Sequence, residues 1–546
     1  MRKMVVFQSI LLGVALCAAD RIAVSQEHPH EHIESIPMEL LERPLPLRSG
    51  IGPFHDPVTT GSKQAQAYYD QGVSYLHSYV WIEAARSFNE AIRLDPRLAM
   101  GYVGLSYAYS GLNAASAAVQ AAAKPRSLSQ GLSAVELARI SIREKQLAAI
   151  SDPANLELLR AYRAAIDEAL SRWPDDAQLW LLRGNAEEAS AAGRGQHGGE
   201  SSIRFYQQAL EVSRDNFAAH HFLTHSYENT GHITEALKEG AAYASLAPAI
   251  PHAHHMYGHD LRRVGRMDEA IQEFRKAYDL ETEYYKKEGV LAEFDWHHQH
   301  NLDLLSTSYQ YLGQMKTAEQ LMRESFSTPS TQASLDFNKK ELPLFLLDRG
   351  RARDALEAAT VLAGDKSEAV SAIGHIMASH ALMALGRMPE SSEQAKMALS
   401  WAQGSQQAAA LLAPYLQTLQ GEFYLRTGQV EKGRSILKSV ESRIRSEPGP
   451  DAWSQALFAL ERIARFAREA GDWELAEFTA RQMEQHDPYY AGTHYALAVV
   501  AEHNLSRTAA AKEFRLVLKY WQSADQDLPE LAEARAKSVA IGKNQP

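Results

Sequence analysis

The chain has 546 residues, of which 45% are hydrophobic and 23% are charged, so it can bury one large core or several small ones. Its formal net charge of −11, with no strongly basic stretch, disfavours a nucleic-acid partner. A single cysteine, Cys17, excludes both a disulfide framework and a cysteine-based zinc site.

Residues 1–25 are typical of an export signal. A basic start, MRKM, precedes the apolar run VVFQSILLGVALCAA and the polar DRIAVSQ, and the run is short for a membrane span. We expect cleavage after Ala19 or Ser25, because each is small and follows a small residue two positions earlier. Lipidation of Cys17 is the disfavoured alternative, since Leu16 precedes it. The sequence therefore predicts a periplasmic or secreted protein with no transmembrane segment in the mature chain.

Residues 26–61 carry little periodicity, which predicts a loose or draped N-terminal arm. The stretch EHPHEHIE places His28, His30 and His32 in this arm. These histidines could capture a metal ion weakly or form only a solvated tail, and the composition favours the tail.

A pair of helices is predicted from Ala65, in the stretch AQAYYDQGVSYLHSYVWIEAARSFNEAIRLDPRL. Positions 4, 8 and 11 share one face of the first helix, and positions 20, 24 and 27 share one face of the second. Small residues at positions 8 and 20 allow close helix packing, and a proline at position 32 ends the pair. This 34-residue pattern resembles the tetratricopeptide repeat (TPR). The matching residues are Tyr68, Gly72, Tyr75, Ala84, Phe88, Ala91 and Pro96.

The same period continues, with drift, to about residue 522. Clean units start at Phe217 and Pro251, and the last unit starts at Ala491. The sequence therefore predicts an all-α, TPR-type helical-hairpin solenoid of about a dozen hairpins over residues 62–522. We expect a right-handed superhelix with a concave groove, followed by a loose tail over residues 523–546. Fainter units share a glycine between their two helices: Gly313, Gly350, Gly386, Gly428 and Gly471.

Position 4 of the repeat, a site for a large core side chain, is a histidine in four units. Because this position faces the partner helix, we interpret these four histidines as packing residues. They are His220, His254, His375 and His494.

Two neighbouring units carry further histidines on a second helix stripe. Positions 5 and 9 hold His221 and His225 in one unit and His255 and His259 in the next. This stripe is rotated by about 100° from the packing stripe, and in TPR proteins it faces the concave groove. Neighbouring helices pack about 8–10 Å apart, so two imidazoles from each side could meet at a metal ion about 2.0–2.1 Å from each nitrogen. The pattern indicates a four-histidine metal site.

Other side chains share this stripe. His252 and His300 at position 2 and Glu228 at position 12 are possible additional ligands. Glu228 could instead act as a general base, the one weak catalytic candidate, or orient a histidine. Arg262 and Arg263 give the groove a cationic edge that could bind a carboxylate or phosphate. The nitrogen ligands suit Zn²⁺, Fe²⁺, Cu²⁺ or Ni²⁺ without selecting one, and the sequence requires no other cofactor.

The alternative for the same stripe is a polar groove that is rich in histidine and binds a peptide or stacks on a ligand. The stretch FDWHHQHN adds His297 and His298, which could cap this groove or line a loop. In a later unit His380 is at position 9, but position 5 is Ile376, so no histidine pair forms there.

The middle of the chain is similar to a large group of exported bacterial TPR proteins. The matching segments are AAHHFLTHSYE, which ends at Glu228, and HAHHMYGH, which runs from His252 to His259, one repeat apart. The similarity covers about residues 50–280 and implies a shared site in adjacent repeats without naming a reaction. The chain departs from the group at Tyr257 and Gly258, where the group often has Pro-Ser.

The sequence favours a protein that is not an enzyme, because it contains no nucleophile elbow, phosphate loop or dinucleotide fingerprint. The first hypothesis is an exported scaffold that binds a protein or peptide in its concave groove. The second is a metalloprotein, or a metal-dependent hydrolase or oxygenase, centred on the paired histidines. A third, an envelope scaffold attached to the membrane, requires lipidation of Cys17.

Overall fold

A computed structural model describes residues 36–331, 333–446 and 452–542. Within these ranges the regular elements are all helices, and there is no strand. None of these helices is long and apolar enough to cross a membrane. The predicted signal peptide, Cys17 and the histidines of EHPHEHIE lie outside the described residues.

The chain forms two compact units. The N-terminal unit is Glu34–His297, and the C-terminal unit comprises the described residues from His298 onward. The N-terminal unit contains, in chain order, α1 (Met38–Glu42), α2 (Lys63–His77), α3 (Trp81–Leu94), α4 (Ala99–Gly111), α5 (Ala115–Ala123), α6 (Ala134–Ser151), α7 (Leu156–Arg172), α8 (Ala177–Asn185), α9 (Glu200–Val212), α10 (Phe217–Thr230), α11 (Ile233–Leu246), α12 (Pro251–Arg263) and α13 (Met267–Glu288), with short 3₁₀ helices at Lys124–Leu128 and Ala292–Phe294.

The boundary between the units falls inside the next helix, α14 (Trp296–Tyr311). The C-terminal unit then contains α15 (Met315–Ser327), α16 (Ala333–Asn338), α17 (Glu341–Asp348), α18 (Ala352–Ala363), α19 (Glu368–Ala384), α20 (Met388–Ala402), α21 (Gln406–Arg426), α22 (Val430–Ser446), α23 (Ala452–Glu469), α24 (Trp473–His486), α25 (Ala491–His503), α26 (Arg507–Tyr520) and α27 (Pro529–Gly542).

Within each unit the helices pack mainly on those that precede and follow them in the chain, as TPR-type hairpins do. The predicted small residue at position 8 allows the two helices of a hairpin to approach closely. A methyl group on Gly72 would lie 2.6 Å from the Phe88 ring, and one on Gly258 would lie 2.6 Å from the Phe274 ring. In both hairpins the aromatic residue is at position 24, so glycine and aromatic ring fit together across the pair. The predicted all-α, TPR-type fold is confirmed.

The turn between the two helices of a hairpin requires a left-handed backbone at position 15. The glycine there has a φ between 71° and 81° in Gly231, Gly265, Gly313, Gly350, Gly386, Gly428 and Gly471. Three units place a different residue at this position and keep the same conformation, namely Tyr79, Asn113 and Leu505, each with a φ of 57–58°. A side chain in this region costs about 1–2 kcal/mol relative to glycine. Tyr79 and Leu505 therefore occupy positions where glycine would be less strained.

The position-4 histidines each connect the two helices of one hairpin. Nδ1 of His254 lies 2.6 Å from a carboxylate oxygen of Glu273, and its Nε2 lies 3.0 Å from the carbonyl of Pro248. His494 repeats this arrangement with Glu513. The packing interpretation is therefore refined: these side chains are buried or half-buried but polar, and each links a first helix to the residue 19 positions later on the second. His220 with Glu239 and His375 with Gln394 are the other two pairs.

The described part of the N-terminal arm lies against the N-terminal unit. Arg86 donates hydrogen bonds to the carbonyls of Arg43 and Pro44, and the hydroxyl of Tyr68 donates to Leu45. The side chain of Leu41 is buried beside them. At the other end of the chain, α27 packs on α26.

A buried carboxyl group in α22 makes the stability of the C-terminal unit depend on pH. One oxygen of Glu441 accepts a 2.6 Å hydrogen bond from Thr479, and the other has no partner among the described residues. Burial raises the pKa of Glu441 from its ordinary value of 4.5 to about 7. Protonation of this group therefore favours the folded state below pH 4.5, and that contribution is lost as the pH rises through 7.

We expect Glu441→Gln to stabilise the protein above pH 7, because the amide never ionises. The gain in the free energy of unfolding should be absent at pH 4 and reach about 3 kcal/mol at pH 8, as measured by urea unfolding at both values. Glu431→Gln, an exposed carboxylate on the same helix, should show no such change. Equal gains from Glu441→Gln at the two pH values would contradict the assignment.

Candidate metal centre

Three histidines of the N-terminal unit meet between α10 and α12. The Nε2 atoms of His221 and His225 are 3.1 Å apart, and Nε2 of His252 is 3.0 Å from that of His221. One nitrogen from each of the three side chains lies within 4.8 Å of the other two. His221 and His225 are one turn apart on α10, and His252 is in the first turn of α12. We call this group the His triad; it joins two adjacent hairpins.

The spacing of the triad nitrogens is that of ligands to a transition metal. Two nitrogens that each lie about 2.0–2.1 Å from a tetrahedral Zn²⁺ are about 3.3 Å from one another. The observed Nε2 separations of 3.0 and 3.1 Å are within about 0.3 Å of this value. Two of the three nitrogen pairs thus already have a spacing close to that of tetrahedral ligands, and the third pair lies within 4.8 Å.

A backbone contact fixes the tautomer of His221. Its Nδ1 lies 2.6 Å from the carbonyl oxygen of His77, so Nδ1 carries the proton and donates it to that oxygen. The lone pair of the His221 ring is then on Nε2, which faces the other two rings. Such a carbonyl contact is the usual way in which a protein orients a metal-binding imidazole.

As a hydrogen-bonded cluster the triad is poorly satisfied. Nε2 of His225 and Nε2 of His252 both approach the single lone pair of His221. In addition, the buried Nδ1 of His252 has no hydrogen-bond partner among the described residues. Buried polar atoms are nearly always paired. A cation at the centre would use three lone pairs at once and remove the competition.

Burial keeps the three imidazoles neutral. It lowers the pKa of His225 to about 3, and it lowers the pKa values of His221 and His252 well below their usual range. Neighbouring imidazoles lower these pKa values further, because two positive rings repel each other. Metal binding needs neutral imidazole, so the triad is in the required protonation state near neutral pH.

Aromatic side chains enclose the triad. The ring of Tyr79 lies 4.6 Å from that of His221 in an edge-on contact, and the ring of Tyr243 stacks on His221 at 4.7 Å. The Trp296 ring lies 6.0 Å from His252. As a result the three histidines are only 0–7% exposed. The sequence placed this stripe on an open groove, but in the structure it is covered.

A fourth imidazole lies beside the triad. The ring centre of His297 is 4.5 Å from that of His252, and its Nδ1 is 3.4 Å from a carboxylate oxygen of Asp295. The Nε2 of His297 is buried and has no hydrogen-bond partner in the described part of the chain. A carboxylate on one nitrogen and an available second nitrogen are typical of a metal-binding histidine.

The second predicted histidine pair forms a separate contact. The Nε2 atoms of His255 and His259 are 3.0 Å apart, and both side chains are buried. Nδ1 of His259 lies 3.2 Å from Glu228. The sequence predicts one centre for the four imidazoles of positions 5 and 9. In the structure His252 takes the place beside His221 and His225 that the sequence assigned to this second pair.

Glu228 is positioned to orient a histidine. Burial alone would raise its pKa, but His259, His225 and Arg263 outweigh burial and hold the pKa of Glu228 below its usual range. A carboxylate of low basicity is a weak general base. The sequence left three roles open for Glu228: metal ligand, general base and residue that orients a histidine. The contact with His259 therefore favours the third role.

The remaining predicted residues lie as follows. Arg262 is 2% exposed, so it does not form the solvent-open cationic edge expected of it, whereas Arg263 is half-buried. His298 and His300 are on α14, within the C-terminal unit. His380 is in the C-terminal unit as well, on α19.

Several residues of the site were not found by sequence reasoning. Tyr79 and the carbonyl of His77 come from another hairpin, and a repeat register does not say which distant helices they contact. Tyr243 is on α11, the second helix of the hairpin that carries His221. One signal was available for Tyr79: it occupies the position-15 turn that is glycine in most other units.

No family model matches the chain, and no curated protein matches it. Among solved structures it is similar to one described as the APC/C hetero-tetramer Cut9-Hcn1, with a TM-score of 0.31 and 10% identity over 88% of this chain and 91% of the other. It is also similar to a human IFIT1 dimer with PPP-AAAA, with a TM-score of 0.39 and 10% identity over 83% of this chain and 95% of the other. TM-scores this low carry no argument about fold or function.

Replacing the turn tyrosine should separate its packing from its backbone strain. We expect Tyr79→Gly to destabilise metal-free protein by about 2–4 kcal/mol, because the loss of a buried aromatic ring exceeds the relief of strain. Urea unfolding in the presence of a chelator measures this change.

The matched control is Leu505→Gly, which has the same backbone conformation but an 87% exposed side chain. It should stabilise the protein by about 1 kcal/mol. If Tyr79→Gly also stabilises the protein, the Tyr79 ring does not support the histidines, which contradicts its role in enclosing the triad.

Proposed function

We propose that this chain is an exported helical-repeat protein whose N-terminal unit binds a divalent transition-metal ion through His221, His225 and His252. The observation that supports it best is the convergence of three buried Nε2 atoms, with the key separations at 3.0 and 3.1 Å. The repeat fold positions these side chains, but function is argued from the site, since one fold serves many activities.

The ligand chemistry limits the choice of ion. Three neutral imidazoles suit Zn²⁺, Fe²⁺, Cu²⁺ or Ni²⁺, and disfavour Mg²⁺ and Ca²⁺, which prefer oxygen ligands. His297 is the nearest candidate for a fourth ligand, since its Nε2 is otherwise unpaired among the described residues. Four nitrogens would give the closed tetrahedral shell of a structural zinc site.

A structural role agrees with the enclosure of the triad. Tyr79 and Tyr243 separate it from water, whereas a catalytic ion keeps a position open for water or substrate. The ion would also join α10 to α12 and, through the carbonyl of His77, to the first hairpin. We therefore favour a metal ion that holds these hairpins together over a metalloenzyme.

The second candidate function is the binding of a protein or peptide partner by the hairpin stack, as the sequence predicts. The packing of successive helices into hairpins favours it, because such stacks present extended surfaces to a partner. The two functions are compatible, since the triad is buried and a partner in the predicted concave groove would not need to contact it.

Elemental analysis of protein purified without added metal tests the proposed ion. We expect close to one equivalent of zinc, iron, copper or nickel, and almost none in His252→Gln. Removal of a ligating histidine should weaken the affinity for the metal ion by more than 10–100-fold, which is the typical loss when a residue that only orients a ligand is replaced. Adding the ion back to chelated wild-type protein should raise its Tm, and His252→Gln should respond much less.

Two further variants on the same helix make this test specific. His255→Gln should retain the metal if the triad is the site, and should lose it if the four-histidine arrangement is correct. His254→Gln, which loses the imidazole contacts with Glu273 and the carbonyl of Pro248, is the matched control for a change in stability without a change in metal content. Wild-type protein that is metal-free and whose Tm is unchanged by all four ions would refute the proposal.

Export is tested by the mass of the mature protein. A signal peptidase product should begin at Asp20 or Gln26 and be recovered outside the cytoplasm. An acylated N-terminus at Cys17 would instead establish the lipoprotein alternative. Full-length protein retained in the cytoplasm would contradict both.

A further inference from the structure

The C-terminal unit contains an open cavity that is separate from the histidines of the N-terminal unit. It is lined by residues of α17, α19, α21 and α23 and of the turn after α17. Its apolar wall is formed by Leu347, Ala384 and Phe466. Its polar lining contains three arginines, a histidine and two glutamates: Arg426, Arg462, Arg465, His380, Glu422 and Glu469.

A buried carboxylate and imidazole form one side of the cavity. Nδ1 of His380 lies 2.5 Å from Glu422, and both side chains are at most 5% exposed. Glu422 also accepts a 2.7 Å hydrogen bond from Nε of Arg426. Burial would raise the pKa of Glu422, but His380 and Arg426 outweigh it and hold the pKa below its usual range. Glu422 is therefore ionised, and it fixes the proton of His380 on Nδ1.

The other nitrogen of this imidazole is available to a ligand. Glu422 is the only hydrogen-bond partner of His380 among the described residues. The His380 ring stacks at 6.4 Å on Phe466, which also lines the cavity, and this contact holds the ring plane in place. An imidazole oriented in this way, with its Nε2 unpaired among the described residues, can form a hydrogen bond with a bound ligand.

The arginines keep N–H groups to spare. Arg462 uses Nε and one terminal nitrogen on the two oxygens of Asp348, at 3.0 and 2.8 Å, which leaves its other terminal nitrogen without a partner in the described structure. Arg426 is engaged at Nε by Glu422 and, at 3.5 Å, at one terminal nitrogen by Glu469. Each guanidinium carries five N–H donors, so these contacts leave donors for a ligand.

Two carboxylates beside the cavity are more deeply buried than two of its arginines. The carboxylates of Asp348 and Glu422 are 13% and 2% exposed, whereas Arg426 is 31% and Arg465 is 25% exposed. Asp348 and Glu422 are each bonded to guanidinium groups, and Arg426 and Arg465 are partly exposed; of the other charged residues, Arg462 is 7% and Glu469 is 50% exposed. Guanidinium groups held in this way are suited to planar oxyanions.

We propose that this cavity is a binding site for a small oxyanion, a carboxylate or phosphate with a short apolar group, held by Arg426 and Arg462 with His380 as the third contact. The apolar wall would cover the remainder of the ligand. The inference is independent of the proposed metal ion, since no residue of the His triad takes part.

Calorimetric titration of the full-length protein tests this site at constant ionic strength. The probes are butyrate, inorganic phosphate and the neutral analogue butyramide. Butyrate should bind and raise the Tm, whereas butyramide should do neither because it carries no charge for the arginines. If phosphate binds and butyrate does not, the site prefers phosphate over carboxylate, and this result still supports the proposal. Binding of butyramide as tightly as butyrate would overturn it.

Arg426→Gln and His380→Gln should each weaken binding by about tenfold or more, the usual loss for a hydrogen bond to a charged group. Arg387→Gln, which breaks a surface ion pair with Glu390, is the matched control and should bind normally. If burial makes His380→Gln unfold, the more exposed Arg426→Gln decides the question alone. His252→Gln should bind the probes as wild type does, which separates this site from the metal centre.

No binding of either anion up to tens of millimolar would overturn the proposal. So would equal affinities in wild type, Arg426→Gln and Arg387→Gln, because the anion would then bind elsewhere.

Discussion

The close approach of two helices at position 8 of the repeat is the constraint on which the rest of the structure depends. At Gly72 and Gly258 any side chain would overlap the aromatic ring at position 24, so these two hairpins close because the residue at position 8 has no Cβ. This contact sets the rotation of the first helix about its axis. Once that rotation is fixed, positions 5 and 9 of successive hairpins face the same side. The histidine clusters follow from this packing.

The period and the fold class were predictable because they depend on local spacing. The pattern around Ala65 predicts a hairpin whose glycine, aromatic and proline positions match the observed packing, and the glycines between helices adopt the left-handed conformation that such turns need. The division into two units was not predictable, since the repeat continues across residue 297 with no change in composition. A periodic sequence specifies the contacts between neighbouring hairpins, but it does not specify contacts between hairpins that are far apart in the chain.

The same distinction explains the candidate site. Sequence spacing placed His221 and His225 together, since residues four apart on a helix are neighbours. It gave His252 a secondary role, because a position in the first turn of α12 does not reveal how far its side chain reaches toward α10. The aromatic side chains that enclose the triad could not be predicted from the repeat register, since Tyr79 approaches from a turn more than 100 residues earlier. The environment of Glu228 likewise depends on His225, His259 and Arg263, two of which are in the next hairpin.

The hydrogen bond from His221 to the carbonyl of His77 spans 144 positions in the sequence. Duplication of a single 34-residue unit can copy a pair of imidazoles, yet it cannot copy the distant turn that orients and covers them. A repeat array can therefore lengthen at either end without multiplying such a centre. This chain contains many repeats, but the enclosed triad depends on one contact between two hairpins that are far apart in the sequence. The triad therefore depends on the fold of the whole N-terminal unit and not on any single repeat.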